Sequence, residues 1–183
     1  MSQMRRLMLL RHAKTETEAP SGRDRDRRLD ERGRRDAAEI GNWIGRHPPF
    51  ADTVMVSPAV RAHQTWEIAW EAMKDHVPSP KVEFLPELYG ADPAQLLEAI
   101  RSAVATDPKH LMLVGHNPGM HELALALVGS GDEAGRKALS HNLPTSGLAV
   151  FDFATKDWSD VAFRRGRLVL FVSPKLIKQT LGE

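Results

Sequence analysis

Short apolar runs alternate with longer amphipathic stretches along this chain. The runs Leu7–Leu10, Thr53–Val56, Val82–Phe84, His110–Val114, Leu148–Phe153 and Leu168–Val172 have the length and continuity of strands covered on both faces. Between them the apolar period lengthens to that of helices. A first helix from about Asp30 to Ile44 carries a stripe of Ala37, Ala38, Ile40, Gly41 and Ile44, and Pro48-Pro49 closes it or its tail. A second helix runs from about Ala59 to Met73. Asp92-Pro93 reads as an N-cap followed by proline at the first helical position, opening a third helix with Leu96, Leu97 and Ile100 inward. A helix after Pro118 carries Leu123, Leu125, Leu127 and Val128. Gly22–Leu29, rich in Arg and Asp, has no apolar period and reads as a loop. Lys156-Asp157-Trp158 and Arg164-Arg165-Gly166 read as turns. This strand–helix repeat predicts an α/β fold: a three-layer sandwich with a mostly parallel central sheet and helices on both faces. Ligands in such sheets bind outside the carboxyl ends of the strands.

Composition narrows the chemistry. A length of 183 residues fits a single domain spanning 1–183. Lys and Arg number 25 against 24 Asp and Glu, so no overall charge recruits nucleic acid or another polyanion. The chain has no cysteine. Disulfides, thiolate nucleophiles and thiolate-bound metals are thereby excluded, and a cytoplasmic location is expected. No apolar run is long enough to span a bilayer, and Leu7–Leu10 is too short for a signal-peptide core.

Three strand exits deliver the reactive side chains. The first strand ends in Arg11-His12. The second ends in Ser57-Pro58, with Arg61 in the first turn of the following helix. The His110–Val114 strand ends in Gly115-His116. Each residue alone could be an ion pair, a turn residue or a packed histidine. Together, at the carboxyl edge of one sheet, two arginines and two histidines suit a phosphoryl group. Guanidinium forks match its oxygens and stay charged, a neutral imidazole nitrogen is a nucleophile, and a second imidazole can stabilise the equatorial oxygens. No metal or cofactor is expected where arginines neutralise the phosphate. The remaining histidines, at 47, 63, 76, 110, 121 and 141, suit surface or packing roles. His121-Glu122 lacks the second histidine of a zinc-peptidase helix, and neither a Gly-x-Ser-x-Gly elbow nor a nucleotide-binding glycine loop occurs.

These residues resemble the signature of the histidine phosphatase, or phosphoglycerate-mutase-like, superfamily. Leu9-Leu10-Arg11-His12-Ala13-Lys14-Thr15 is similar to its first block, with Ala13 where glycine is usual, as in the small branch of SixA-type phosphohistidine phosphatases. Ser57-Pro58-Ala59-Val60-Arg61-Ala62-His63-Gln64-Thr65 is similar to the second block and Leu113-Val114-Gly115-His116-Asn117-Pro118 to the third. Leu29 and Gly33 keep the spacing found before the first helix.

The resemblance implies that His12 is the nucleophile, that Arg11, Arg61 and His116 hold the phosphoryl oxygens, and that Asn117 and the loop near Ser146-Gly147 line the pocket mouth. It implies that His12 Nδ1 donates to a backbone carbonyl, freeing Nε2. Glu87, with Glu83 behind it, is the candidate proton donor; the alternative is that Glu87 anchors its turn. The short interval from Thr65 to His110 leads to the expectation of an open, shallow pocket that admits a phosphohistidine-bearing partner protein. A small phosphorylated metabolite is the alternative substrate, and a non-catalytic phospho-ligand binding module is the alternative of another class. In Arg23–Arg28 the alternating charges read as a solvated loop or as a lip able to supply one specific arginine.

Overall fold

A computed structural model describes residues 3–181. The chain runs β1 (Arg5–Arg11), α1 (Glu31–Gly45), β2 (Thr53–Val56), α2 (Val60–Met73), β3 (Lys81–Phe84), α3 (Pro93–Arg101), β4 (His110–Gly115), α4 (Gly119–Leu127), β5 (Val128–Gly131), α5 (Glu133–His141), β6 (Leu148–Phe153), β7 (Gly166–Val172) and α6 (Pro174–Leu181). The strands form one sheet in the order β3-β2-β4-β1-β6-β7-β5. Only β6 runs against the others, pairing antiparallel with β1 and β7. The expected three-layer α/β architecture with a mostly parallel sheet is observed.

Alternation along the central strands explains the layers. Leu7 and Leu9 of β1, with Leu111 and Leu113 of β4, face the side covered by α3, α4 and α5, where Ile100, Leu123, Leu127 and Leu139 are buried. Met8, Leu10, Met112 and Val114 face the other side and meet Ile40 and Ile44 of α1, Trp66 and Met73 of α2, and Ile177 of α6. Both faces of these strands are covered, which is why their sequences are continuously apolar.

Helix starts follow their caps. Asp30 accepts from the Gly33 amide at 2.7 Å, and Asp92 with Gln95 forms a reciprocal capping box. Two glycines in α1 mark close approaches. A Cβ on Gly33 would overlap the Lys14 carbonyl oxygen, and one on Gly41 would overlap the Ala69 carbonyl oxygen.

Several expectations need correction. Leu125 is 43% exposed, because a helix that buries Leu123, Ala124 and Leu127 turns position 125 outward. Val128 opens β5 rather than continuing the helix. Ala38 is only half-buried. Trp158 lies in a 3-10 turn, Trp158–Asp160, fully buried with its indole N–H on the Pro108 carbonyl at 2.6 Å. The strand β5 and helices α5 and α6 add to the elements expected from the sequence.

Candidate active site

Strand order decides what meets at the carboxyl edge. With β4 between β1 and β2, Arg11 lies level with Gly115, and Val114 pairs with both Leu10 and Val56. His12, Ser57 and His116 therefore leave the sheet side by side. Their backbones are tied together: the His12 amide donates to the Gly115 carbonyl and the Ser57 amide to the Val114 carbonyl, both at 3.0 Å. Ser146, in the left-handed region at φ 58°, turns its amide onto the carbonyls of Arg11 and His12 at 3.1 Å each. Thr65 of α2 clamps the β1 exit to the second block. Its Oγ1 accepts from the Ala13 amide at 2.9 Å and donates to the Arg61 carbonyl at 2.7 Å.

His12 and His116 are buried with ring centroids 5.4 Å apart. His12 Nδ1 is 2.7 Å from the Ala13 carbonyl oxygen. A carbonyl only accepts, so Nδ1 carries the proton and the Nε2 lone pair is free. Burial pushes the His12 pKa down to about 3; the Ala13 hydrogen bond opposes this, while His116, Arg11 and Arg61 reinforce it. Burial, then Arg61, lowers His116 to about 4. Both imidazoles are neutral at pH 7. His116 Nε2 lies 2.6 Å from Ser57 Oγ.

The two arginines flank this pair. Arg11 donates to the Leu143 carbonyl at 3.1 Å, and its pKa is lowered by burial and by Arg61. Arg61, 6% exposed, donates through Nη1 to the Asp24 carbonyl at 2.8 Å and through Nη2 to the Asp24 carboxylate at 3.0 Å. Buried polar atoms without partners concentrate here: Arg11 Nε, Arg61 Nε, His116 Nδ1 and Ser146 Oγ, with Arg5 Nε the other such atom among the described residues. Such orphans are costly in a packed interior and gather where a ligand is accommodated.

The charged stretch before α1 borders this cluster. Residues Asp24–Asp26 form a 3-10 turn that lays Asp24 across Arg61, and the Tyr89 hydroxyl donates to the same carboxylate at 2.7 Å. The Tyr89 ring meets His116 edge-on at 5.6 Å. Arg27 braces Asp24 from the other side at 3.0 Å. The charged stretch thus lies against the site as a lip that sets Asp24 on Arg61, with Arg27 bonded to Asp24 rather than to a site residue. Asp24 and Tyr89 carry no local signal for this role, being 65 residues apart in a loop and a turn. A cavity of about 580 Å3 beside Asp24 is lined by Thr17, Glu18, Arg23, Asp24 and Arg27 among others, and by none of the paired arginines and histidines. A separate apolar groove of about 490 Å3 between α1 and α6 contains none of the site residues.

Asn117 lies beside the site with its amide engaged: Nδ2 donates to the Leu143 carbonyl at 2.8 Å and Oδ1 accepts from the His121 amide at 3.1 Å. Glu87 is exposed on the turn Pro86–Leu88 and makes no side-chain hydrogen bond or ion pair among the described residues. Glu83 pairs with Lys81 at 3.2 Å. The other histidines stand apart; His47 stacks on Trp43 at 3.8 Å and His121 bonds the Leu139 carbonyl at 2.6 Å. No group of three or more His, Asp or Glu among the described residues could hold a metal ion. No described helix is long and apolar enough to cross a membrane.

Paired guanidinium groups around two neutral histidines form a cluster whose chemistry suits an oxyanion. The family model of the histidine phosphatase superfamily (branch 1) matches residues 7–110, and the chain belongs to that superfamily as a SixA-like enzyme. An uncharacterized protein of Mycobacterium leprae is 33% identical over 172 residues, covering 91% of this chain and 100% of the relative. Among solved structures, a Nakamurella multipartitia protein assigned as phosphohistidine phosphatase SixA superposes with a TM-score of 0.80 at 28% identity, covering 94% of this chain and 98% of the other. An Agrobacterium tumefaciens protein with the same assignment has a TM-score of 0.76 at 34% identity, covering 93% and 98%. The fold is also that of a mycobacterial glucosyl-3-phosphoglycerate phosphatase, with a TM-score of 0.64 at 17% identity over 92% and 98% of the two chains.

Proposed function

We propose that the protein hydrolyses a phosphoryl group through a covalent phosphohistidine on His12, and that the group comes from phosphohistidine on a partner protein. The observation that carries the covalent step is the His12 Nδ1 contact with the Ala13 carbonyl at 2.7 Å, which leaves a neutral Nε2 as nucleophile. Arg11 and Arg61 hold the equatorial oxygens, and His116 stabilises the charge that develops on them. Attack by Nε2 forms the N–P bond as the leaving group departs on the opposite side. Water then attacks phosphorus and returns free His12 and phosphate. Asn117 shapes the pocket wall through Leu143, the same carbonyl that Arg11 bonds.

The phosphohistidine substrate is supported by the likeness to two proteins assigned as SixA and by the exposed, unengaged position of Glu87. An alkoxide leaving group needs a proton donor far more than an imidazole does. A small-molecule phosphomonoesterase is the second reading, favoured by the fold held in common with glucosyl-3-phosphoglycerate phosphatase. Glu87 as general acid belongs to that reading.

Rapid-quench trapping tests the covalent step. Acid-labile, base-stable phosphate should appear on His12 and vanish in His12→Ala. Undiminished phosphate release by His12→Ala would refute it, and binding without turnover would mark a phospho-ligand module. A phosphohistidine protein should be cleaved faster than a panel of sugar phosphates; the reverse preference, together with loss of activity in Glu87→Gln, would establish the second reading.

A further inference from the structure

Asp24 is the one carboxylate in direct contact with the described phosphate clamp. Its side chain is 54% exposed, whereas that of Arg61 beneath it is 7% exposed, so the carboxylate stands on the solvent side of the guanidinium. One oxygen accepts from Arg27 Nε at 3.0 Å; the other accepts from Arg61 Nη2 at 3.0 Å and from the Tyr89 hydroxyl at 2.7 Å. A carboxylate offers about four acceptor sites, so roughly one remains open. The Tyr89 hydrogen bond, then Arg61 and Arg27, hold Asp24 ionised with a pKa of about 2 against its partial burial. Other charges stand near: the Arg25 guanidinium carbon lies 5.9 Å from the Tyr89 ring centre, and Glu18 and Arg23 line the same cavity as Asp24 and Arg27.

In-line attack by the buried His12 on a phosphoryl group seated on Arg11 and Arg61 sends the leaving group away from His12 toward solvent, the side on which the Asp24 carboxylate is exposed. We propose that Asp24 determines specificity by leaving-group charge: its carboxylate favours a cationic leaving group, above all the protonated phosphoimidazole of phosphohistidine, and repels an anionic one. The choice of phosphohistidine rests on the function proposed above, whereas the charge selection stands without it. In the transfer, the substrate P–N bond breaks and its electron pair returns to the ring nitrogen. The proton on the substrate's other ring nitrogen stays in place, so imidazole leaves neutral. The new bond forms at His12 Nε2, and the positive charge passes to the His12 ring, whose Nδ1–H donates to the Ala13 carbonyl. No separate proton donor is required.

The experiment compares wild type, Asp24→Asn and Asp24→Glu on phosphohistidine, phosphoethanolamine and 3-phosphoglycerate. The readout is kcat/KM, or a competitive inhibition constant for any monoester that does not turn over. Asparagine keeps an oxygen for Arg61 and Tyr89 while removing the charge. Wild type should favour phosphohistidine and phosphoethanolamine over 3-phosphoglycerate. Asp24→Asn should shrink that preference about three- to tenfold, the scale of one partly exposed charge contact, and Asp24→Glu should restore much of it. A parallel fall on all substrates would reduce Asp24 to holding Arg61, and a parallel rise would make it a competitor for Arg61; either overturns the proposal. A shift between the two monoesters in an enzyme inert to phosphohistidine would keep the charge selection and refute the substrate. An unshifted ratio in an enzyme that cleaves phosphohistidine would do the opposite.

Discussion

Ser57 Oγ lies 2.6 Å from His116 Nε2, with the serine fully buried at the end of β2 and the histidine just beyond β4. The contact turns the strand pairing into a ring orientation. With the hydroxyl donating to Nε2, Nδ1 carries the proton, and Nδ1 is one of the site's unpartnered buried atoms. Ser57→Ala removes that constraint and leaves a buried ring nitrogen without a partner, a loss of about 1–3 kcal/mol for such a group. We expect kcat to fall about tenfold or more with KM changed much less, because the hydrogen bond serves the developing charge rather than ground-state binding. Steady-state kinetics with an aryl phosphate, beside a melting curve, checks this.

Arg61 should be far less replaceable than its formal charge suggests. Arg61→Ala is expected to lower kcat about 10²–10³-fold, the usual cost of one transition-state donor. Arg61→Lys keeps a charge but not the planar fork, so it should recover little of the loss. His47→Ala should leave turnover unchanged, since His47 is exposed and stacks on Trp43 away from the clamp. Comparable losses in the two alanine variants would contradict the assignment.

The four candidate site residues are legible because Arg11-His12 follows a continuous apolar run directly, His116 follows another after one glycine, and Arg61 lies in the first turn of the helix after a third; such runs announce both the strand and its exit. Burial on both faces removes alternation from β1, β2 and β4 but leaves their ends sharp. The lip was not legible in the same way. Asp24 sits in a stretch without period, and its partners Arg61 and Tyr89 are 37 and 65 residues away. Chain length says how much covering segment lies between the helices, and it says nothing of the loop before α1, which lays Asp24 on Arg61. The strand β5 escaped notice because Val-Gly-Ser-Gly has little strand propensity, and α5 because Gly135 and Leu139 are its only buried residues. In α4 the alternation of leucines at 123, 125 and 127 concealed the helical period that exposes Leu125.

Gly33 is required by geometry: the first turn of α1 passes so close to the Lys14 carbonyl that any side chain must displace it. The Lys14 carbonyl also accepts from the Asp30 amide at 3.1 Å, so the displacement would disturb the α1 cap and the segment that follows His12. Gly33→Ala should destabilise by about 1–3 kcal/mol, as overpacking does, despite alanine's better helix propensity. Denaturant unfolding measures it. An unchanged or raised midpoint would mean that the backbone relaxes freely there.

The lowered histidine pKa values tie stability to pH with a definite sign. His12 and His116 titrate at about 3 and about 4 in the folded chain against 6.5 as the ordinary value. Below that ordinary value the unfolded chain binds protons at both rings while the folded chain does not, so unfolding is favoured as pH falls. Their contribution is fully present above pH 6.5 and is lost progressively down toward the folded values. Carboxylates add their own acid sensitivity, so the informative quantity is the difference between wild type and His12→Asn. The urea midpoint of wild type should drop more steeply between neutral and acidic pH than that of the variant, and the His12 imidazole resonances should show no titration near 6.5. Vanadate or phosphate in the clamp should raise both values again, because an anion beside the rings favours their charged forms. A His12 midpoint near 6.5 in the unliganded enzyme would contradict a buried, neutral nucleophile.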